Sequence, residues 1–298
     1  MSQVIALLRL LRPHQWLKNG FVFVGLLFGH AWSDPLRLTQ AAWAFAAFSL
    51  LASGVYVMND LMDRKQDRLH PTKRHRPLAK GTVSVSIALM LMVICFVGGF
   101  ALVTLSNNQA PWVFYAYVAI NIAYTLGLKH VVVLDVFIIA AGFMLRLLAG
   151  TQGIGIEPSF WLLLCGLMLT LFLGFAKRQA EFMALDDGEV NINAAAHRRV
   201  LEDYTPEMLN QFITIASAAV IISYSLYTVS AETVAMHGTT KLIYTVPLVI
   251  YGMFRYLFLL HRLGGGGDPA RQLMTDPHLM GAVVGWLLLV VTILQGWL

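Results

Sequence analysis

Charged residues are scarce in this sequence: Asp, Glu, Lys and Arg make up 12% of its 298 residues, against 58% apolar ones. A soluble globular domain carries about twice that share of charge, so a water-facing surface along the whole chain is excluded. Cysteine is nearly absent. The two present, Cys95 and Cys165, lie inside apolar runs and read as small buried apolar residues, which excludes a disulfide framework and a cysteine metal site. The alternation of apolar and polar residues that marks membrane strands is also missing, so a transmembrane barrel is excluded. No repeat period is visible. No small-residue cleavage site follows the first apolar run, which is therefore kept as structure, and no soluble domain is expected at either end.

What is present is a succession of apolar runs of about 20 residues, the length of a membrane-crossing helix. Nine spans are expected, near 17–32, 38–58, 82–105, 110–128, 131–150, 159–176, 206–230, 240–260 and 279–298, the first of them short. With the N-terminus inside, the inner segments hold 17 of the 21 Lys and Arg residues and the outer segments only Arg37 and Lys241. Such a bias places basic residues on the cytoplasmic side, which predicts an N-in, C-out chain. The expected fold is all-α: one integral membrane domain over residues 1–298.

In such a chain, function belongs where polar groups interrupt the apolar pattern. The inner side offers two long polar connections, 59–81 and 177–205, and a glycine run at 264–267 leading to Asp268 and Pro269. The first connection, "NDLMDRKQDRLHPTKRHRPLAKG", is dense in both signs of charge. Asn59, Asp63 and Asp67 stand at i, i+4 and i+8. On a helix they drift only ~80° in total and line one face over roughly 12 Å. His70 and Pro71 should end that helix. Stacked carboxylates repel unless cations lie between them, and hard oxygen ligands suit Mg²⁺, which is held by one or two carboxylates plus phosphate oxygens. Lys73, Arg74, Arg76 and Lys80 follow at once and suit the rest of a phosphorylated ligand. The plainer reading is a solvated, salt-bridged helix end that obeys the charge bias. The Asn at the start and the basic turn after the break favour a site.

The stretch Asn59, Asp60, Asp63, Asp67 resembles the first aspartate-rich motif, N-D-x-x-D-x-x-x-D, of the UbiA superfamily of intramembrane prenyltransferases. "RPHQWLKN" at 12–19, "HPTKRHRPLAKG" at 70–81, "LKHVVVLDVFIIAAGFMLRLLAG" at 128–150, "KRQAE" at 177–181 and "LEDYT" at 201–205 are similar to the branch of decaprenyl-phosphate phosphoribosyltransferases, as are "YTVPLVIYGMFRY" at 244–256 and "GGDP" at 266–269. The resemblance implies nine helices around a central lipid-facing cavity. It also implies Mg²⁺-dependent transfer of 5-phosphoribose from phosphoribosyl pyrophosphate to a polyprenyl phosphate. Metal would be held by Asn59, Asp63 and Asp67, with Glu181 a further candidate. Asp63, Asp67 and Lys177 would act at the reacting phosphates. Lys18, Asn19, Lys73, Arg74, Arg76, Lys129, Arg178 and Tyr204 would contact substrate.

Two features depart from the aromatic prenyltransferases of the superfamily. Their second D-x-x-x-D is replaced by Lys177, Arg178 and Glu181, and Tyr124 and Lys129 stand one residue further apart than Y-x-x-x-K. Prenyl transfer from prenyl pyrophosphate to an aromatic acceptor is the alternative reaction. A secondary transporter is disfavoured, because few charges lie deep. Of those, Asp135 is expected to pair with a cation, Arg146 to join helices, and Arg255 to serve either role. Thr205-Pro206 reads as a capped helix start. The expected partners are the bilayer, the lipid phosphate and the donor. Nucleic acid is not among them, and homo-oligomerisation stays open.

Overall fold

The computed structural model describes residues 3–69, 73–186, 203–262 and 275–298. The expected break at His70 and Pro71, the glycine run at 264–267 with Asp268 and Pro269, and Arg198, Arg199 and Arg271 lie outside the described residues. Every regular element among the described residues is helical. Seven of the helices are long and apolar enough to cross a membrane: Pro35–Met62, Val85–Leu105, Leu134–Ile154, Phe160–Met183, Pro206–Val229, Lys241–Arg262 and Pro277–Leu294. An eighth apolar helix, Trp112–Leu126, is shorter. The chain forms two compact units, Met1–Pro158 and, from Ser159 on, Ser159–Val190 with Val200–Leu298.

The first unit begins with α1 (Gln3–Leu11), then a 3-10 helix over Pro13–Phe23 that runs into α2 (Val24–Phe28). Next come α3 (Pro35–Met62), α4 (Arg64–Asp67), α5 (Pro77–Lys80), α6 (Val85–Leu105), α7 (Trp112–Leu126) and α8 (Leu134–Ala149). Asp34 starts α3 by accepting the amides of Leu36 and Arg37, and Pro35 fills the first turn. The face of α3 bearing Ala41, Ala44, Ala47, Phe48, Leu51 and Val55 is buried in the core of this unit, with Phe48 against Phe114 and Tyr117 of α7.

The 3-10 helix is more extended than an α-helix of the same length: at about 2.0 Å per residue, against 1.5 Å, its 11 residues reach roughly 22 Å. Its polar side chains run antiparallel to a polar row on α3. Arg12 Nη2 meets Asp60 Oδ1 at 2.5 Å, Trp16 Nε1 donates to Ser53 Oγ at 3.0 Å, and Asn19 Nδ2 donates to Ser49 Oγ at 3.0 Å. Further along, backbone meets backbone. A Cβ added at Gly150 would lie 1.8 Å from the Val22 carbonyl oxygen, and one at Gly25 would lie 1.8 Å from the Gly150 oxygen. Small residues of this kind let membrane helices approach closely.

Arg146 of α8 is 5% exposed and finds neutral partners. Its Nε donates to Asn19 Oδ1 at 2.6 Å, Nη1 to Gly142 O at 2.7 Å and Nη2 to Tyr117 Oη at 3.0 Å. The guanidinium also lies over the rings of Phe48, Tyr117 and Phe143. It thus joins the 3-10 helix, α3, α7 and α8, the helix-joining role expected of it. Asp135 is fully buried in the first turn of the same helix.

The second unit contains α9 (Phe160–Asp186), α10 (Pro206–Val229), α11 (Ala231–His237), α12 (Val246–Arg262) and α13 (Pro277–Leu294). Thr205 caps α10 as expected, its hydroxyl accepting the Met208 amide at 3.2 Å. Tyr224 Oη lies 2.6 Å from Thr245 Oγ1 and accepts from Trp286 Nε1 at 2.7 Å, an interhelical polar contact of the kind that joins membrane helices. Arg255 is engaged by two hydrogen bonds to Asp276, 3.1 and 2.6 Å long, and Asp276 caps α13. Those bonds hold the Asp276 carboxyl down at about 2, so it stays ionised.

Gly150→Ala is expected to lower the melting temperature or the folded yield sharply, since the added methyl meets backbone and not a yielding side chain. Gly252→Ala is the control: its nearest atom is 3.8 Å away, and helix propensity favours Ala by about 0.5–1 kcal/mol. Thermal unfolding of both variants in detergent checks the pair.

Candidate functional site

The acidic stretch sits at the C-terminal end of α3. The helix is not continuous to His70 as the spacing suggested. It ends at Met62, and Asp63, with ψ near zero, joins it to α4. The i, i+4 ladder nevertheless survives the joint. The Asp63 amide donates to the Asn59 carbonyl at 2.9 Å and the Asp67 amide to the Asp63 carbonyl at 2.8 Å, so Asn59, Asp63 and Asp67 keep their common face.

Each aspartate is held by a cation from another segment. Arg76 Nη1 reaches Asp67 Oδ2 at 2.8 Å and Asp60 Oδ1 at 3.1 Å. Arg12 Nη2 reaches the same Asp60 oxygen at 2.5 Å. Lys129 Nζ meets Asp63 Oδ1 at 3.2 Å. Asp60 and Asp67 are 2% and 1% exposed, so their carboxylates are desolvated and need these partners. Asp63 and Lys129 keep a quarter of their surface.

Local structure delivers the cations. Arg12 takes a left-handed conformation, φ 53°, just before Pro13, which turns the chain from α1 into the 3-10 helix. Arg76 precedes Pro77, which opens α5, and Gly81 closes that short helix at φ 80°. Two arginines of the acidic stretch hold the turn in place: Arg64 Nε donates to Leu78 O and Arg68 Nε to Ala79 O, both at 3.2 Å. Lys129 sits in the 3-10 turn Leu128–His130. The next bend centres on Val133, φ 69° and ψ −47°, with the Leu134 amide donating to the Val132 carbonyl at 2.8 Å. That is a γ-turn with positive φ, rare and strained for a β-branched residue, and it fixes the start of α8.

The donor set fits a hard divalent cation. It offers only oxygens, and Asp67 Oδ1 is buried with no hydrogen-bond partner among the described residues. Asn59 adds a subtler point. The Thr125 hydroxyl lies 2.5 Å from Asn59 Oδ1 and 2.8 Å from the Asn121 carbonyl, yet it carries one proton. If that proton goes to Asn121, Asn59 must present Nδ2 to Thr125, which frees its carbonyl oxygen for a metal. Among the described residues no three His, Cys, Asp or Glu side chains converge, because the cations stand between the carboxylates.

Other expected site residues fall into groups. Lys18 and Lys73 are half-buried, Arg74 is exposed with its Nε 3.5 Å from His75 Nε2, and Lys80 is exposed. Asn19 is fully buried and its amide is taken by Ser49 and Arg146, so it presents no surface to a ligand. Within the second unit, Lys177 is half-buried on α9, and Arg178 Nη1 meets Glu181 Oε2 at 2.6 Å. Gln179 beside them is buried and donates to Asn210 Oδ1 at 2.6 Å. Tyr204 is 2% exposed and packs inside its unit. Sequence reasoning gave Arg12 and Thr125 no part, and it named Asp60 within the aspartate-rich motif without giving it a task. The signals were the motif match for Asp60 and, for Arg12, its place in a basic, proline-bearing stretch beside the first span.

Arg76→Ala would strand Asp67 and weaken the hold on Asp60. It is expected to cost about 2–3 kcal/mol, less than the ~3–5 of a fully buried pair because Arg76 keeps 28% of its surface. Lys129→Ala removes a half-open pair and should cost under about 1 kcal/mol. Denaturation in detergent at matched protein concentration separates the two.

Comparison with known proteins gives the same direction. The profile of the UbiA prenyltransferase family matches residues 20–275. The decaprenyl-phosphate phosphoribosyltransferase of Corynebacterium glutamicum is 32% identical over 96% of this chain and 85% of its own length. The protein of the same name from Mycolicibacterium smegmatis is 29% identical over 95% and 91%. Among solved structures, a UbiA homolog from Archaeoglobus fulgidus, bound to GPP and Mg²⁺, superposes with a TM-score of 0.72 at 20% identity, covering 97% of this chain and 99% of that one. That likeness bears on the fold. With its apolar helices and its aspartate-rich helix end, this chain is an integral membrane protein and belongs to the UbiA prenyltransferase family.

Proposed function

We propose that the protein transfers 5-phosphoribose from phosphoribosyl pyrophosphate to a polyprenyl phosphate of the decaprenyl type, releasing pyrophosphate. In this reading it works at the cytoplasmic face of a bacterial plasma membrane, with nine crossings and its N-terminus inside. The observation that carries the reading is the set of cations interleaved with the acidic stripe: Arg12, Arg76 and Lys129 on Asp60, Asp63 and Asp67. A donor with a pyrophosphate and a 5-phosphate, together with a lipid phosphate, brings three anionic groups, which calls for more cations than an aromatic acceptor would. The likeness to phosphoribosyltransferases over nearly the whole chain supports the same choice.

An oxygen of the lipid phosphate attacks C1 of the ribose, and the bond from C1 to the pyrophosphate oxygen breaks. Pyrophosphate leaves with the electron pair. The attacking phosphate is already ionised near neutral pH, so no general base is needed. Asn59, Asp63 and Asp67 would hold Mg²⁺, with Glu181 a further candidate ligand. When bound there, the metal would neutralise the charge that develops on the leaving group. Arg76, released from Asp67 but still held by Asp60, and Lys129, released from Asp63, neutralise phosphate oxygens. Lys18, Lys73, Arg74, Lys177 and Arg178 would steer and orient the anions, and positioning supplies much of the rate.

Purified protein incubated with radiolabelled phosphoribosyl pyrophosphate, polyprenyl phosphate and Mg²⁺ should pass label into the lipid extract. Label absent from the lipid, with transfer instead from prenyl pyrophosphate to an aromatic acid, would favour the alternative and overturn this one. Asp63→Ala should lower transfer by about a hundredfold or more, the scale of losing a charge-stabilising group, without loss of folded protein. Activity retained in that variant would remove Asp63 from the metal set.

A further inference from the structure

Asp60 is the member of the acidic stretch that the Asn59, Asp63, Asp67 face leaves out. One residue on from Asn59, it is turned about 100° around the helix. It is also 2% exposed, and a single oxygen, Oδ1, accepts from both Arg12 Nη2 and Arg76 Nη1. The same Arg76 nitrogen turns to Asp67 Oδ2. Arg12 is steadied further by the Tyr56 ring, 5.1 Å from its guanidinium carbon and one helical turn before Asp60.

The division of exposure shows what this arrangement presents. The acids are buried, while the Arg12 and Arg76 side chains keep 24% and 28% of their surface. Arg76 is bonded through Nη1 and keeps its Nε–Nη2 edge whole, while Arg12 is bonded through Nη2 and keeps the donors on Nε and Nη1; these nitrogens make no hydrogen bond among the described residues. A whole guanidinium edge from position 76 and further donors from position 12 are therefore fixed from behind and open in front. A guanidinium edge is the side-chain geometry that matches two phosphate oxygens at once.

We propose that Asp60 is a positioning residue and not a metal ligand: it anchors Arg12 and Arg76 as a fork for the phosphate oxygens of a substrate. The inference rests on the phosphate-substrate reading above. It divides the acidic motif by function, with Asn59, Asp63 and Asp67 facing the metal and Asp60 facing the arginines. Phosphate oxygens could come from the donor or from the lipid, and the kinetics tell them apart.

The test uses the full-length protein in detergent, with Mn²⁺ binding read by electron paramagnetic resonance and inorganic pyrophosphate binding read by calorimetry. Asp60→Asn should bind Mn²⁺ as the parent does, while Asp63→Asn should lose it. In Asp60→Asn, pyrophosphate affinity should fall about ten- to hundredfold, the worth of one or two charge-assisted hydrogen bonds, and a substrate KM should rise more than kcat falls. A rise in the donor KM assigns the fork to the donor, a rise in the lipid KM assigns it to the acceptor, and either supports it. Loss of Mn²⁺ binding in Asp60→Asn to the level of Asp63→Asn, or unchanged pyrophosphate affinity, overturns it. Should Asp60→Asn not fold, Arg12→Ala leaves Asp60 held by Arg76 and must still weaken pyrophosphate without touching Mn²⁺; an unchanged pyrophosphate affinity there overturns it equally. Wild type that binds both probes but transfers no phosphoribose would fail the functional reading while leaving the fork tested.

Discussion

Buried carboxylates at the end of a membrane helix must be neutralised, and the first unit is arranged around that requirement. Asp60 and Asp67 are almost without accessible surface. In so poorly solvated a place an unpaired carboxylate would cost several kcal/mol. The cations that meet this need come from three distant segments: the turn before the 3-10 helix, the basic turn after α4, and the loop between α7 and α8. Their pairing draws those segments to one helix end. What makes the place chemically useful is therefore also what makes it fold.

A second buried charge is handled by different means. Arg146 lies where no carboxylate is among its hydrogen-bond partners, and it is satisfied by an amide oxygen, a backbone carbonyl, a phenol and three aromatic faces. The two centres are connected through the 3-10 helix, whose Arg12, Trp16 and Asn19 follow Asp60, Ser53 and Ser49 down α3. The step from Trp16 to Asn19 is three residues and the step from Ser49 to Ser53 is four. That is one turn of each helix type, so tighter winding keeps the two polar rows in register. A regular α-helix in the first segment would rotate one of these side chains out of the seam.

The parts of this arrangement that were legible in the sequence are those carried by local pattern. Apolar runs marked the helices, and the spacing of Asn59, Asp63 and Asp67 gave their shared face, which survives a joint that the sequence did not reveal. Thr205 ahead of Pro206 gave a cap. Partner choice was not legible, since Arg12 and Asp60 are 48 residues apart and nothing local tells an arginine that will hold a carboxylate from one that will face lipid phosphates. Arg64 and Arg68 illustrate the same limit: one basic residue inside the acidic motif and one just after it serve backbone carbonyls. Asn19 and Tyr204 read as polar residues beside the membrane, and burial, which depends on the packing of other helices, gave them interior places.

The balance of charge gives the choice of substrate a physical basis. The three acids of the motif and the three cations paired with them sum to zero before anything binds. A divalent metal with pyrophosphate brings a net negative charge into that neutral cluster, and the acids are hidden while the cations are partly open. Exchange of partners then needs only small movements, from carboxylate oxygen to phosphate oxygen, with no charge left stranded on either side. Where aromatic prenyltransferases of the superfamily would add a second acidic pair, this chain has Arg178 already bonded to Glu181, with Lys177 beside them. A second acidic pair would bind another cation; a neutral pair with a lysine beside it leaves positive charge for an anion. In each unit taken by itself the balance of charge thus favours anions, which suits a reaction whose substrates carry several phosphates, as phosphoribosyl transfer to a lipid phosphate does and prenyl transfer to an aromatic ring does not.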